Sequence, residues 1–274
     1  MKVSAKIKMQ YYAAVLLGWM NGHKYNIRIL TYHSIYEHTN KGVHLSPKLF
    51  EKHLEYLSES GYKSFKVCDV VNEWPAILDK FPAVIITFDD GLYNNYEIAF
   101  PLLKKYNMTA TFFVPTSYIS DDRKPSNAEE MGPYKDMPMM SWQDLRDMVD
   151  EGFEIGAHSH HHVMVGQQTY ENAMAEIATP ITTLEQKLNT PIRSFAYPKG
   201  RSCSFALWTR ELLVKSGYRA GCTMLEGRLC KNTDVMALPR INIMGDDDIK
   251  KFKMKLEGYY DCLKYLRQLH RFAF

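Results

Sequence analysis

No CxxC pair occurs in this sequence. Its five cysteines, Cys68, Cys203, Cys222, Cys230 and Cys262, are odd in number and widely spaced. That argues against a disulfide framework or a thiolate metal site and for reduced, structural thiols, with a Cys222–Cys230 disulfide as the minor alternative. A strong charge of either sign is also absent: the formal net charge is +3 over 274 residues. With no basic stripe interleaved with aromatics, nucleic acid is not an expected partner. Nor is there an apolar run of the ~20 residues that a bilayer-spanning helix needs. The run Tyr11 to Met20 comes after Lys2, Lys6 and Lys8 in the order of a secretory signal, but it is short, holds Tyr11, Tyr12 and Trp19, and lacks a small-residue cleavage site. Residues 1–26 are therefore expected to form an amphipathic helix that packs on the domain or makes a peripheral contact with a membrane surface. This places the protein in the cytoplasm or at the membrane periphery and leaves secretion open. Internal repeats and a second compositional regime are missing too, so residues 27–274 are read as one large α/β domain with a sizeable core.

What is present centres on AVIITFDDG, Ala83 to Gly91. An apolar, β-branched run that stops at two carboxylates and a glycine fits a strand buried on both faces. In parallel α/β architectures catalytic groups collect at the carboxyl ends of such strands. Neighbouring side chains leave a strand in opposite directions, so Asp89 and Asp90 can do two jobs, one holding a metal and the other a proton. Taken alone, Asp-Asp-Gly is equally a solvated turn. The second stretch, IGAHSHHH (Ile155 to His162), repeats the strand-then-polar-loop context. His158 and His162, at i and i+4, are expected on one face of a helical turn, where they can close on one ion. Two imidazoles and a carboxylate leave coordination positions open for water and substrate. The alternative is a His-rich surface tract.

TFDDG (Thr87 to Gly91) and HSxxH (His158 to His162) are similar to the first two motifs of the polysaccharide deacetylases, the NodB-like family also called carbohydrate esterase family 4, and FAYPKG (Phe195 to Gly200) resembles the third. The likeness extends over about Ile29 to Ile243. It implies a distorted (β/α) barrel with fewer than eight complete units, and a hydrolase that cleaves the linear amide of an N-acetylated amino sugar in a glycan. The resemblance assigns a divalent ion to Asp90, His158 and His162, zinc by ligand type, with cobalt, nickel or manganese as alternatives. It makes Asp89 the base, lets Tyr197 and Pro198 wall the sugar pocket, and gives the Lys199 backbone N–H to an oxyanion. For Tyr197 and Pro198 core packing is the rival reading. Family members with an early Tyr-His segment imply that His33 is the general acid; a satisfied strand-end histidine is the alternative. The sequence departs from the commonest pattern at Ala196, where an arginine orients the base. Arg240 in LPRI is the candidate replacement, against a plain surface arginine. Two rival functions remain: O-acetyl or formyl removal at the same site, and a glycan-binding protein that has lost catalysis. A surface polysaccharide or its lipid-linked precursor is the expected substrate; no oligomeric state is read from the sequence.

Several local expectations follow from chain chemistry. Ser46 and Pro47 should start a helix, and His53 within it is read as a helix-face residue. Ser141 with Asp144 should form a capping box. Residues 117–140, with three prolines and no period, are a substrate loop or a disordered insert. Thr169 to Leu188 is a long helix that Pro180 should kink or divide. The aromatic stripe of Leu256 to Phe274 is read as core packing, with membrane or partner docking second.

Overall fold

The computed structural model describes residues 27–37, 42–79, 82–259 and 261. The expected amphipathic segment, residues 1–26, and nearly all of the C-terminal stripe lie outside the described residues. Strands and helices alternate along the rest. β1 (Arg28–Tyr32) is followed by the short pair β2 (Ser34–Ile35) and β3 (His44–Leu45), then α1 (Pro47–Glu59), β4 (Lys63–Phe65), α2 (Val67–Asn72) and β5 (Ala83–Phe88). The order continues with α3 (Phe100–Lys105), β6 (Thr111–Val114), α4 (Trp142–Asp150), β7 (Glu154–Ala157), α5 (Tyr170–Leu188) and β8 (Ser194–Ala196). It ends with α6 (Leu207–Lys215), β9 (Ala220–Cys222), β10 (Ile241–Asn242) and α7 (Ile249–Leu256).

The main sheet is parallel, in the order β10-β1-β5-β6-β7-β8-β9, with β4 sharing an edge of β5. The sheet curls, and the segment from Leu238 to Asn242 reaches both of its ends. Leu238 bridges to Cys222 of β9, and β10 pairs with Leu30 and Thr31 of β1. This is the distorted (β/α) barrel that the resemblance implies.

Alternation along β5 sets what faces where. Val84, Ile86 and Phe88 pack in the layer between sheet and helices, against Phe50, Leu54 and Leu57 of α1. Ala83 and Ile85 pack inside the curl, with Phe113, Ala196 and Cys222. The period of two carries Thr87 and then Asp89 along the inner row. The strand therefore aims its first carboxylate into the barrel.

Caps form where the sequence places them. The Ser46 hydroxyl accepts from the Leu49 N–H at 3.3 Å, with Pro47 opening the helix. At α4, Ser141 and Asp144 cap each other, and Asp144 also takes a bidentate pair from Arg123 at 2.9 and 2.6 Å. That pair ties residues 117–140 to the barrel. Leu92, Met131, Tyr134 and Met139 then bury one another, so the stretch is an ordered part of the molecule. Cys222 is buried, while Cys230 is exposed with its sulfur 3.3 Å from the Thr233 hydroxyl, and no disulfide joins them.

Of the two outcomes expected at Pro180, division does not occur: helix α5 runs through it as one element. Proline cannot donate to the carbonyl four residues earlier, and the Glu176 carbonyl is instead met from outside the helix by the His160 N–H at 3.1 Å. An outside donor replaces the missing bond.

His53 lies on the buried face of α1, with Phe50, Leu54 and Leu57. Its ring stacks on Phe252 at 3.9 Å, its Nε2 lies 3.1 Å from the Asp247 carbonyl, and its Nδ1 lies 3.3 Å from the Tyr32 hydroxyl. Burial pushes its pKa down to about 4. Below the ordinary histidine value the unfolded chain takes up a proton that the folded chain refuses, so stability falls as pH drops through that range. The loss should reach ~3 kcal/mol by about pH 4. Urea unfolding of wild type and His53→Gln between about pH 7 and about pH 4.5 tests this. The variant should lose less; an equal loss would acquit His53.

Candidate active site

The site forms where the strands end. After Phe88 the chain turns through Asp90 and Gly91 in the left-handed region, at φ +75° and +69°. Asp is one of the few side chains that tolerate this conformation, and glycine has no Cβ to object. A Cβ at Gly91 would press on Val114, Pro115 and Ile119 at 3.3 Å. The turn separates the two carboxylates. Asp89 stays in the barrel, and Asp90 faces the end of β7.

There Asp90 meets two histidines. His158 Nε2 is 3.4 Å and His162 Nε2 is 3.1 Å from Asp90 Oδ1. All three groups are buried, and their ligand atoms lie within 4.8 Å of one another. The expected helical turn is not what brings the histidines together. They lie on a loop in which Ser159 and His162 are left-handed, at φ +58° and +57°. The loop reverses by backbone conformation rather than by helical periodicity.

Both imidazoles are oriented from behind. His158 Nδ1 is 2.7 Å from the Ala196 carbonyl, and His162 Nδ1 is 2.8 Å from the Glu130 carbonyl. A carbonyl only accepts, so each Nδ1 carries the proton and each Nε2 lone pair points at Asp90. Two neutral nitrogens and a carboxylate oxygen facing one another have no donor among them. A cation completes that arrangement, and backbone acceptors behind ligating histidines are a regular feature of metal sites. The residues fit a divalent ion.

Asp89 has a different partner. Arg240 Nη1 is 2.7 Å from its Oδ1 and Nη2 is 2.6 Å from its Oδ2, a bidentate pair. Arg240 is wholly buried, which removes the surface-arginine alternative. Its Nε donates to the Thr223 carbonyl at 2.9 Å, and Nη1 also reaches the Thr87 hydroxyl at 3.1 Å. Burial pushes the Asp89 carboxyl up, but the Arg240 guanidinium outweighs it and holds the pKa below the ordinary carboxylate value.

A cavity of about 330 Å³ opens over these groups, lined by His33, Asp89, Asp90, His158, His162 and Lys199, among others. His33 is not the satisfied histidine of the alternative reading: its Nδ1 is buried with no hydrogen-bond partner. Burial lowers its pKa, and the Asp90 and Asp89 carboxylates offset part of that. Lys199 is left-handed at φ +60°, and its ammonium donates to the Glu130 carbonyl at 3.3 Å.

Tyr197 and Pro198 require a correction. Neither lines the cavity. Tyr197 is fully buried, donates its hydroxyl to the Met236 carbonyl at 3.0 Å and stacks on Phe205 at 4.8 Å. The aromatic ring finds more apolar surface in the core than at the mouth of a charged pocket. Wall positions are instead taken by Val43, Pro133 and Tyr134. The aperiodic stretch 117–140 thus supplies both a wall and, through Glu130, the acceptor behind His162. Its length was the sole sign of that, because a backbone carbonyl has no residue signature.

Comparison with known proteins places the chain in a family. The chain is similar to the putative polysaccharide deacetylase YxkH of Bacillus subtilis, at 28% identity over 78% of this chain and 70% of that protein. It is 26% identical to the poly-beta-1,6-N-acetyl-D-glucosamine N-deacetylase of Staphylococcus aureus over 66% of this chain, and spans 62% of that protein's length. Its fold resembles the Streptococcus pyogenes deacetylase PplD in complex with acetate, with a TM-score of 0.71 at 24% identity over 84% of this chain and 98% of that one. IcaB from Ammonifex degensii is similar in fold, with a TM-score of 0.70 at 23% identity over 85% and 97%. The model of the polysaccharide deacetylase family matches residues 79–221, just over half of the chain, from the approach to Asp89 to the end of β9. By that match, the chain belongs to the polysaccharide deacetylase family.

Proposed function

We propose that the protein hydrolyses the N-acetyl group of an amino sugar in a surface polysaccharide or its precursor, using a divalent ion held by Asp90, His158 and His162. The observation that carries this is the division of labour between adjacent carboxylates: Asp89 is paired with Arg240, and Asp90 faces two imidazole lone pairs. Similarity to the staphylococcal N-deacetylase supports an N-acetylhexosamine polymer as substrate. Two imidazoles and a carboxylate suit zinc, with cobalt, nickel and manganese as substitutes.

When bound, the ion supplies Lewis acidity, polarising the acetyl carbonyl and lowering the pKa of water. Asp89 is the base. Arg240 keeps it ionised and fixes its plane, while each carboxylate oxygen retains a lone pair for the incoming proton. His33, which lines the cavity together with both carboxylates, is assigned to relay the proton that Asp89 takes from water to the departing amine. The Lys199 backbone N–H is assigned to the oxyanion. A pure binding protein has no use for a buried, arginine-held carboxylate, and Arg240 supplies the contact that Ala196 cannot.

Acetate release from an N-acetylhexosamine oligomer tests the reading. Chelation should lower release by about 100-fold or more, and zinc or cobalt should restore it. Cleavage of matched O-acetylated sugars alone would sink the amide assignment. A chain that releases no acetate with its metal bound would be a binding protein.

A further inference from the structure

The loop between the two histidines is held from two sides. On one side, the turn that follows β6 grips the His160 carbonyl: the Ser117 N–H reaches it at 3.0 Å and the Ser117 hydroxyl at 2.6 Å. On the other side stands Glu176 of α5. Its Oε2 accepts the His160 N–H at 2.9 Å and the His161 N–H at 2.8 Å, while Oε1 lies 2.7 Å from His161 Nδ1. The Glu176 main chain contributes as well, its carbonyl accepting the His160 N–H at 3.1 Å. That carbonyl faces outward because Pro180, one turn later, has no N–H to draw it in and a ring that crowds it.

We propose that Glu176, with Pro180 behind it, is a positioning residue that sets the separation of His158 and His162 by fixing the backbone between them. The inference rests on the metal reading above. Ser159 and His162 sit in left-handed backbone that is uncommon outside glycine. A loop in that conformation persists when its surroundings over-determine it. A carboxylate taking two main-chain N–H groups does so with charge-assisted bonds, about twice as strong as neutral ones. The Glu176 side chain touches neither metal-facing imidazole. Its effect reaches the ion through the spacing of the two ring nitrogens.

The test is metal affinity, measured by cobalt titration and zinc competition against a chelator on the full chain, with the thermal midpoint of the apoprotein alongside. Glu176→Ala should weaken binding by about tenfold or more, the range for groups that orient metal ligands, and Glu176→Gln should fall between it and wild type. Pro180→Ala separates positioning from general stability. Restoring an N–H inside a helix should hold or raise the apoprotein midpoint, yet it draws the Glu176 carbonyl back toward the helix axis, so metal binding should weaken severalfold. Lower affinity at equal or higher stability is a result that a merely structural role does not produce. Affinity within about twofold of wild type in Glu176→Gln and in Pro180→Ala would overturn the inference. A wild-type chain that binds neither cobalt nor zinc would instead defeat the metal reading, and this inference with it.

Discussion

Asp89→Asn should cost about 10³-fold in turnover while leaving metal content unchanged. The substitution keeps the shape of the side chain but removes its basicity. Asp90, not Asp89, faces the two imidazole nitrogens, so the ion has no reason to leave. The asparagine also leaves the Arg240 guanidinium buried without its counter-charge, and removing one partner of such a pair costs ~3 kcal/mol or more. Turnover must therefore be compared well below the unfolding midpoint of the variant. Metal analysis and acetate release on the same preparation decide the matter. Loss of metal together with activity would make Asp89 a ligand, and a rate within about tenfold of wild type would remove it as the base.

The second large effect is expected at Arg240. Arg240→Met fills similar space but deprives Asp89 of its cation, and destabilisation of about 3–5 kcal/mol should follow near neutral pH. In wild type the Asp89 pKa is held low, so its contribution to stability is present above the ordinary carboxylate value and lost as pH falls through the folded one. Without the guanidinium, burial dominates and the pKa rises. The sign then reverses: the folded variant takes up a proton before the unfolded chain does, so its deficit shrinks as pH falls below the new value. The same change should move the acidic limb of the kcat/KM profile upward by about one to three pH units. Denaturant unfolding and rate profiles measured over the same pH range test both statements. An unmoved acidic limb would reduce Arg240 to a packing residue. Arg240→Lys should recover stability better than rate, because an ammonium replaces the charge but not the planar fork.

Which of these residues could be found from sequence depends on how each one acts. Asp89 and Asp90 stand at the end of an apolar, β-branched strand, and a change from apolar run to paired acids is visible in residue types alone. Capping at Ser46 and Ser141 is equally local. His158 and His162 are visible as a pair, but the helical turn is the wrong way to join them: the loop closes through left-handed Ser159 and His162, a conformation that residue type marks only weakly outside glycine. Tyr197 follows a strand into a motif and still goes to the core, because Met236 and Phe205 offer it a carbonyl and a ring. Neither partner is near it in sequence. The acceptors behind His158 and His162 are main-chain oxygens of Ala196 and Glu130, and any residue type could supply those. Pro180 leaves the helix undivided for a related reason. Its missing N–H is a local fact, whereas the donor that compensates comes from His160, twenty residues earlier by number and adjacent in space. Arg240 was legible as a vacancy at Ala196 together with an arginine of unknown address.

The address has a consequence for how the enzyme comes into being. Arg240 rides on the segment that bridges β9 at Leu238 and pairs with β1 at Ile241 and Asn242, the last strand in chain order among the described residues. Before it docks, Asp89 stands in a half-built barrel with no cation opposite, and the same burial that now sharpens the pair would favour its protonated, chemically idle form. Joining of the two sheet ends and pairing of Asp89 with its cation thus depend on the same segment. A barrel that lacked this segment would hold Asp89 without the guanidinium that now pairs with it.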